Sequence, residues 1–137
     1  WLHDVVYDPR AGDNEARSAD LAEALLREGG ATPGVIAAVR EMILATRHAA
    51  PPEEHDARYV VDADLSILGA PAGEFDRYED QVRREYAFVP ETEWRERRPR
   101  LLGRFLDRGP IFQTPEFARF EAAARANLAR SIARLAA

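Results

Sequence analysis

The chain has 137 residues, of which 46% are hydrophobic and 31% are charged, and its formal net charge is −5. This composition is typical of a globular protein rather than a disordered one, and the length suits one domain with a single hydrophobic core. There is no cysteine, which excludes disulfides, thiolate metal sites and thiol nucleophiles. Any transition metal would therefore be held by His and carboxylate ligands.

The basic residues are all Arg, and they are interspersed with Asp and Glu instead of forming one basic block. The sequence therefore does not predict a nucleic-acid platform. No apolar run approaches the roughly 20 residues of a membrane helix. The start, Trp1-Leu2-His3-Asp4, has no basic region ahead of an apolar stretch and does not resemble a secretory signal. We expect a cytoplasmic protein with no membrane partner.

Helical periodicity dominates the first half of the chain. The first helix is predicted from Glu15 to Glu28, ends at Gly29-Gly30, and carries one apolar face formed by Leu21, Ala22, Leu25 and Leu26. Thr32-Pro33 is a favourable N-cap and first-turn pair for a second helix. Its predicted stripe comprises Val35, Ile36, Val39, Met42, Ile43 and Thr46, and Pro51-Pro52 ends it. A third helix is expected over about residues 56–68.

The second half is also helical in pattern. We expect a fourth helix over about residues 72–87, with Phe75, Tyr78, Val82 and Tyr86 facing inward. Residues 92–107 predict a fifth, which Pro99 should kink or split in two. Thr114-Pro115 is predicted to open the last helix. Because no alternating strand pattern of useful length occurs, the predicted fold is all-α, a bundle of about six helices in one domain covering residues 1–137.

Two acidic positions in the third helix are distinguished by helical geometry. At helical spacing, Asp64 shares a face with Val61 and Leu65, whereas Asp62 lies with Arg58 and Ser66. Asp64 is therefore predicted to point toward the apolar side, where an ionised carboxylate is costly unless it is paired or bound to a metal. The alternatives are a buried salt bridge to an Arg, or a stripe rotated slightly from this assignment.

Several spaced motifs resemble a bacterial group of predicted phosphohydrolases of the HD-domain superfamily. They are His3-Asp4-Val5-Val6-Tyr7-Asp8-Pro9, Asp13-Asn14-Glu15 with Ser18-Ala19, Ala45-Thr46-Arg47-His48, Asp62-Ala63-Asp64-Leu65-Ser66-Ile67-Leu68-Gly69 and Arg84-Glu85-Tyr86. The resemblance extends in the same order to about Phe112. It implies an HD-type helical domain that holds a divalent metal cation, and it implies that His3, Asp4 and Asp64 are metal ligands.

The superfamily pattern has a further His before the His-Asp pair, and only two residues precede His3. We therefore expect that this chain lacks an N-terminal helix bearing that ligand and is a fragment of a longer polypeptide. The alternative is a natural protein in which water takes that position and the metal is bound weakly. A second His-Asp pair, His55-Asp56, lies beside Pro and Glu and shows how readily this dipeptide arises by chance.

Three more residues are candidates for catalysis. Asp8 and Glu15 would orient or deprotonate a metal-bound water, although Asp8 also suits a turn before Pro9 and Glu15 an acidic helix start. In dinuclear relatives a His in the position of His48 binds a second metal. The alternative for His48 is a ring that satisfies carbonyls at the helix C-terminus.

The predicted function is therefore metal-dependent hydrolysis of a nucleotide or another small phosphate ester. Mn, Mg, Co, Ni, Fe and Zn all accept such ligands, so the sequence does not identify the cation. Two other classes remain open: an HD-type di-iron oxygenase, which needs more His ligands, and a helical binding module that keeps the fold without catalysis.

Overall fold

The structure, a computed structural model, describes residues 2–137 and is all-α, as predicted. Its six α-helices are α1 (Asn14–Glu28), α2 (Pro33–Ala45), α3 (His55–Leu65), α4 (Ala72–Glu85), α5 (Glu91–Asp107) and α6 (Glu121–Ala136). Short 3-10 helices occupy Leu2–Asp4, Ser66–Gly69 and Ala118–Phe120. No strand occurs within residues 2–137, and no helix in that range is long and apolar enough to cross a membrane.

The chain divides into two compact units, with the boundary between Asp64 and Leu65. In the first unit, α1 packs against α2, and the 3-10 helix Leu2–Asp4 contacts both. The buried centre consists of Ala19, Ala22 and Ile43, with Leu2, Val39 and Leu44 packed around it. Of the predicted apolar face of α1, Ala22 is buried and Leu26 is partly buried. The prediction is wrong for Leu21 and Leu25, which are 38% and 50% exposed.

Local signals explain where α1 and α2 end and begin. Gly30 has a φ of 77°, a left-handed conformation that glycine adopts at little cost, and it follows the end of α1. The Thr32 hydroxyl then accepts a hydrogen bond from the amide of Val35 at 3.4 Å, which confirms the predicted N-cap of α2. The first two helices therefore form where the sequence predicts them.

The second unit is built around α6, which contacts α5, α4 and the 3-10 helix Ser66–Gly69. Its largest buried side chains include Phe75, Trp94, Leu102, Ile111 and Leu128. Glu79 is also buried, and its carboxylate accepts hydrogen bonds from Arg98 and from the hydroxyl of Ser131. Burial alone would lower the pKa of the Arg98 guanidinium, but the hydrogen bond and charge of Glu79 outweigh it and raise that pKa.

Pro99 was predicted to kink the fifth helix or to split it in two, and the split does not occur, because α5 runs through Pro99 without a break. The last helix begins at Glu121 and not at Thr114-Pro115. The intervening residues form successive tight turns, in which the amides of Phe117, Ala118 and Phe120 donate to carbonyls three residues back.

The late start of α6 has a physical cause. The Glu121 carboxylate accepts hydrogen bonds from the amides of Ile111 and Phe112 at 3.0 to 3.2 Å. Arg125, one turn later, contacts the same carboxylate and donates to carbonyls at the end of α5. These contacts hold the connection between α5 and α6 as a folded loop, so the α-helix starts where Glu121 is fixed.

Candidate metal centre

The segment that carries His3 and Asp4 is fixed along α1 by two polar side chains. The Ser18 hydroxyl accepts from the amide of Val6 at 3.0 Å and donates to its carbonyl at 3.1 Å. Asn14 does the same for Asp8 through its side-chain amide, at 3.0 and 2.8 Å. Asn14 and Ser18 belong to one of the motifs that carry the family resemblance, and the structure gives them this local role.

His48 approaches the same place from the end of α2. The helix stops at Ala45, and the His48 amide still donates to the Ala45 carbonyl at 3.1 Å. His48 has a φ of 55°, which makes it the one non-glycine residue among residues 2–137 with a positive φ. Because such a conformation is unfavourable for an L residue with a side chain, the surrounding contacts must hold it.

Asp64, in the last turn of α3, joins the two histidines. One carboxylate oxygen lies 3.2 Å from Nε2 of His3, and the other lies 2.7 Å from Nε2 of His48. Nε2 of His3 is also 3.1 Å from a carboxylate oxygen of Asp4. The structure therefore brings together all three predicted metal ligands and the candidate His48, from three segments that are distant in sequence.

The four side chains differ in exposure. The side chains of His3, His48 and Asp64 are 24%, 18% and 29% exposed, whereas that of Asp4 is 62% exposed. Asp4 is thus the most exposed member of the cluster, and His48 is the least exposed.

The donor set suits a divalent cation in its chemistry. Imidazole nitrogens and carboxylate oxygens are the common non-sulfur ligands of Zn, Mn and Fe. Two ligand atoms that lie at about 2.1 Å from one cation and at right angles to each other are about 3.0 Å apart. The two contacts of His3, at 3.1 and 3.2 Å, are close to that spacing.

As the side chains stand, however, no group of three or more His, Asp or Glu within residues 2–137 could hold a metal ion. The nitrogens and oxygens contact one another in pairs instead of facing a common point. Nε2 of His48 and a carboxylate oxygen of Asp64 are 2.7 Å apart, and the imidazole donates to this oxygen when its ring hydrogen is on Nε2. Metal binding would require these pairs to separate and the ring hydrogens to leave the ligating nitrogens.

The two carboxylates predicted to act on water have other contacts. A carboxylate oxygen of Asp8 accepts from the amide of Arg10 at 2.9 Å, in the turn that contains Pro9. Glu15 lies in the first turn of α1, and its carboxylate is 3.9 Å from Nε of Arg47. Neither carboxylate contacts the cluster, and the contacts of Asp8 match the turn-forming alternative.

The prediction for Asp62 and Asp64 needs a correction. Asp62 is completely buried, whereas Asp64 is only partly so. The buried face of α3 contains Ala57, Val61 and Leu65 and extends beyond this apolar stripe to Asp62. The apolar pattern of the sequence predicts buried apolar residues only, so it did not indicate that Asp62 is buried. The other His-Asp pair, His55-Asp56, is exposed at the start of α3.

Arg47 is the residue of this region that the sequence interpretation passed over. It immediately precedes His48 and forms an ion pair with Glu15, which links the end of α2 to the start of α1. Its position next to His48, a candidate ligand, is the sequence feature that could have indicated a place near the cluster. The left-handed backbone of His48 left no clear signal, since histidine, although enriched among non-glycine residues with positive φ, far more often has a negative φ.

A surface pocket of about 360 Å³ lies between α1 and α2 and shares no residue with the cluster. Its lining includes Arg27 and Arg40, which both contact Glu23. A hydrogen bond to Asp20 and the charges of both acids raise the pKa of Arg40. Because its charges already neutralise one another, this pocket is a poorer candidate for an anionic ligand than the cluster.

Comparison with known proteins found no matching family model, no similar curated protein and no similar solved structure. The function is therefore inferred from the residues of the site and from the motif resemblance.

Proposed function

We propose that this protein is a metal-dependent phosphohydrolase of the HD type that acts on a nucleotide or another small phosphate ester. The observation that carries the proposal is the meeting of His3, Asp4, His48 and Asp64 in one cluster. A His-Asp dipeptide that arises by chance would bring together two such side chains from one segment. Here four side chains of ligand type come from three separate segments. The motif resemblance independently groups the same residues.

In the proposed function, His3, Asp4, Asp64 and His48 hold the divalent cation. The bound cation would lower the pKa of water and neutralise phosphate charge. The position of His48 favours a cation as well, because it follows the C-terminal end of α2, where the helix dipole is negative and the last turn has no basic residue. Glu15 is the candidate for orienting water, through a movement that releases it from Arg47.

The paired arrangement of the side chains favours one alternative, a helical binding module without catalysis. Such a protein would use the His–Asp contacts to fasten its N-terminal segment to α2 and α3. A di-iron oxygenase is the third class, and measurements of iron content and oxygen uptake would identify it. Metal titration separates the first two classes directly.

The first test measures Mn²⁺ and Zn²⁺ binding by calorimetry in the wild type and in two aspartate variants. We expect Asp64→Ala to weaken metal binding by at least about 100-fold, because it removes the carboxylate that touches both histidines. Asp62→Ala, two residues away, should change metal affinity little and should lower stability instead, since Asp62 is fully buried.

The isosteric Asp62→Asn serves as the control if Asp62→Ala does not fold. A phosphatase screen across nucleotides then tests the reaction with the metal-loaded protein. A wild-type protein that takes up neither cation would contradict the proposal and support the binding module. Equal effects of the two alanine variants on metal affinity would show that Asp64 is not a ligand.

A further inference from the structure

We propose that Arg47 binds the phosphate group of the substrate, that Glu15 holds its guanidinium beside the cluster in the free protein, and that the preferred substrate is a phosphate monoester. The inference rests on the proposed function and adds to it a specificity-determining residue and a substrate class. It begins from the only polar contact of the Arg47 side chain with residues 2–137, the ion pair with Glu15.

The position of Arg47 follows from its two neighbours. In the chain it is joined to His48, whose ring contacts Asp64. In space it reaches Glu15, which lies between Asn14 and Ser18, the two residues that fix the His3 segment to α1. Both ends of this ion pair are therefore attached to elements that build the cluster.

The hydrogen-bonding capacity of Arg47 is largely unused. Its Nε is 3.9 Å from the Glu15 oxygen, beyond hydrogen-bonding distance, and the side chain is 45% exposed. Arg40 and Arg27 in the same unit approach their acidic partners at 2.8 Å or less, and Arg58 donates to a backbone carbonyl. A guanidinium so loosely held can turn to an anion at a small cost.

The charges of the proposed metal-loaded site favour such a group. Asp4 and Asp64 together carry two negative charges, which one divalent cation would neutralise. A phosphate monoester dianion then needs further positive charge, and Arg47 supplies it in a planar fork that matches two phosphate oxygens. A monoester has three non-bridging oxygens, enough for both a cation and this fork, whereas a diester has only two and a single charge.

The test titrates inorganic phosphate into the Mn²⁺-loaded protein by calorimetry. Arg47→Ala should weaken phosphate binding by about tenfold or more, because charge-assisted hydrogen bonds are lost. Arg47→Lys should recover part of the affinity, since it keeps the charge without the fork. Glu15→Gln should bind phosphate as tightly as the wild type or more tightly, because the competing carboxylate is gone.

Arg27→Ala is the matched control, since it removes an ion-paired arginine of the same unit that does not contact the cluster. Its phosphate affinity should stay within about twofold of the wild type. With p-nitrophenyl phosphate and its bis ester as monoester and diester, the wild type should prefer the monoester, and Arg47→Ala should reduce that preference.

Titration of Mn²⁺ into the same variants separates the possible failures. A wild type that binds no Mn²⁺ would contradict the proposed function itself. Normal Mn²⁺ binding with equal phosphate affinities in Arg47→Ala and Arg27→Ala would overturn the role of Arg47, as would a loss of Mn²⁺ binding in Arg47→Ala. Weaker phosphate binding in Glu15→Gln would overturn the holding role of Glu15, and a wild-type preference for the diester would overturn the substrate class.

Discussion

His48 combines an unfavourable backbone conformation with a ring in the candidate metal centre. A residue with φ of 55° just after a helix is usually Gly, because other residues lose about 1 kcal/mol or more there. In this conformation Nε2 of the His48 ring lies 2.7 Å from a carboxylate oxygen of Asp64. The candidate ligand His48 is therefore placed by a strained backbone.

We predict that His48→Gly is more stable than His48→Ala by about 1 kcal/mol in the free energy of unfolding. Both variants lose the ring and its contact with Asp64, so their difference reports the backbone strain less the extra freedom that Gly gives to the unfolded chain. Chemical denaturation measures it. At Ala38, an exposed residue within α2, the substitution Ala38→Gly should instead destabilise the protein by about 1 kcal/mol. If Gly were less stable than Ala at position 48 as well as at position 38, the proposed backbone strain at His48 would be contradicted.

At this scale the sequence predicts which polar side chains lie together better than it predicts their burial. His3, Asp4 and Asp64 were grouped by motif, and the structure brings them into contact. Full burial of Asp62 was not predictable, because helical periodicity locates apolar faces and does not distinguish a buried carboxylate from an exposed one. The left-handed backbone of His48 was not predictable either, since it accompanies a contact with Asp64, which is 16 residues away in the chain.

Among the elements, α5 contains a proline at which a kink or a split was predicted. It continues through Pro99, although proline has no amide to donate to the carbonyl of Arg95, four residues back. The remaining contacts of the helix, including buried Trp94 and Leu102, hold it together on both sides of the proline. Helix existence was therefore predictable from periodicity, whereas continuity depended on packing that periodicity does not describe.

We predict that Pro99→Ala raises the free energy of unfolding by about 1 to 3 kcal/mol, because it restores a helical amide and removes a steric clash. The gain is reduced by up to about 1 kcal/mol through the greater freedom of the unfolded chain. Pro115→Ala, in the exposed turn before α6, should lower stability slightly for that same entropic reason. Thermal and urea denaturation test both, and a less stable Pro99→Ala would show that the proline suits its site.

In the molecule as a whole, the two units have different kinds of polar centre. The first holds its partly exposed His and Asp side chains in the candidate metal centre. The second buries the pair of Glu79 and Arg98, whose side chains are 4% and 11% exposed, and attaches Ser131 to it. Three helices, α4, α5 and α6, meet at this pair, and their sequence separation explains why no local pattern indicated it.

We predict that Glu79→Ala lowers the free energy of unfolding by about 3 to 5 kcal/mol, because Arg98 would remain buried without its partner. Glu93→Ala removes the partner of Arg97 in an exposed pair and should cost less than about 1 kcal/mol. Denaturation at neutral pH compares them. If Glu79→Ala does not fold, Glu79→Gln should still be clearly less stable than Glu93→Gln, and equal losses would refute the buried role.

The 3-10 helix Ser66–Gly69 combines a buried Leu68 side chain with contacts made through its backbone. Asn127 donates to the carbonyls of Leu68 and Ala70, each at 2.8 Å, and a side chain at Gly69 would come within 2.5 Å of the Phe120 Cβ and 2.9 Å of its carbonyl oxygen. Every amino acid has a backbone carbonyl oxygen, so Asn127 can make these two hydrogen bonds whatever the residue types in the turn. The path of the turn can therefore be maintained while most of its residues are substituted. Among diverged homologues, we expect the turn to keep only an apolar residue followed by a glycine, paired at a distance with an asparagine.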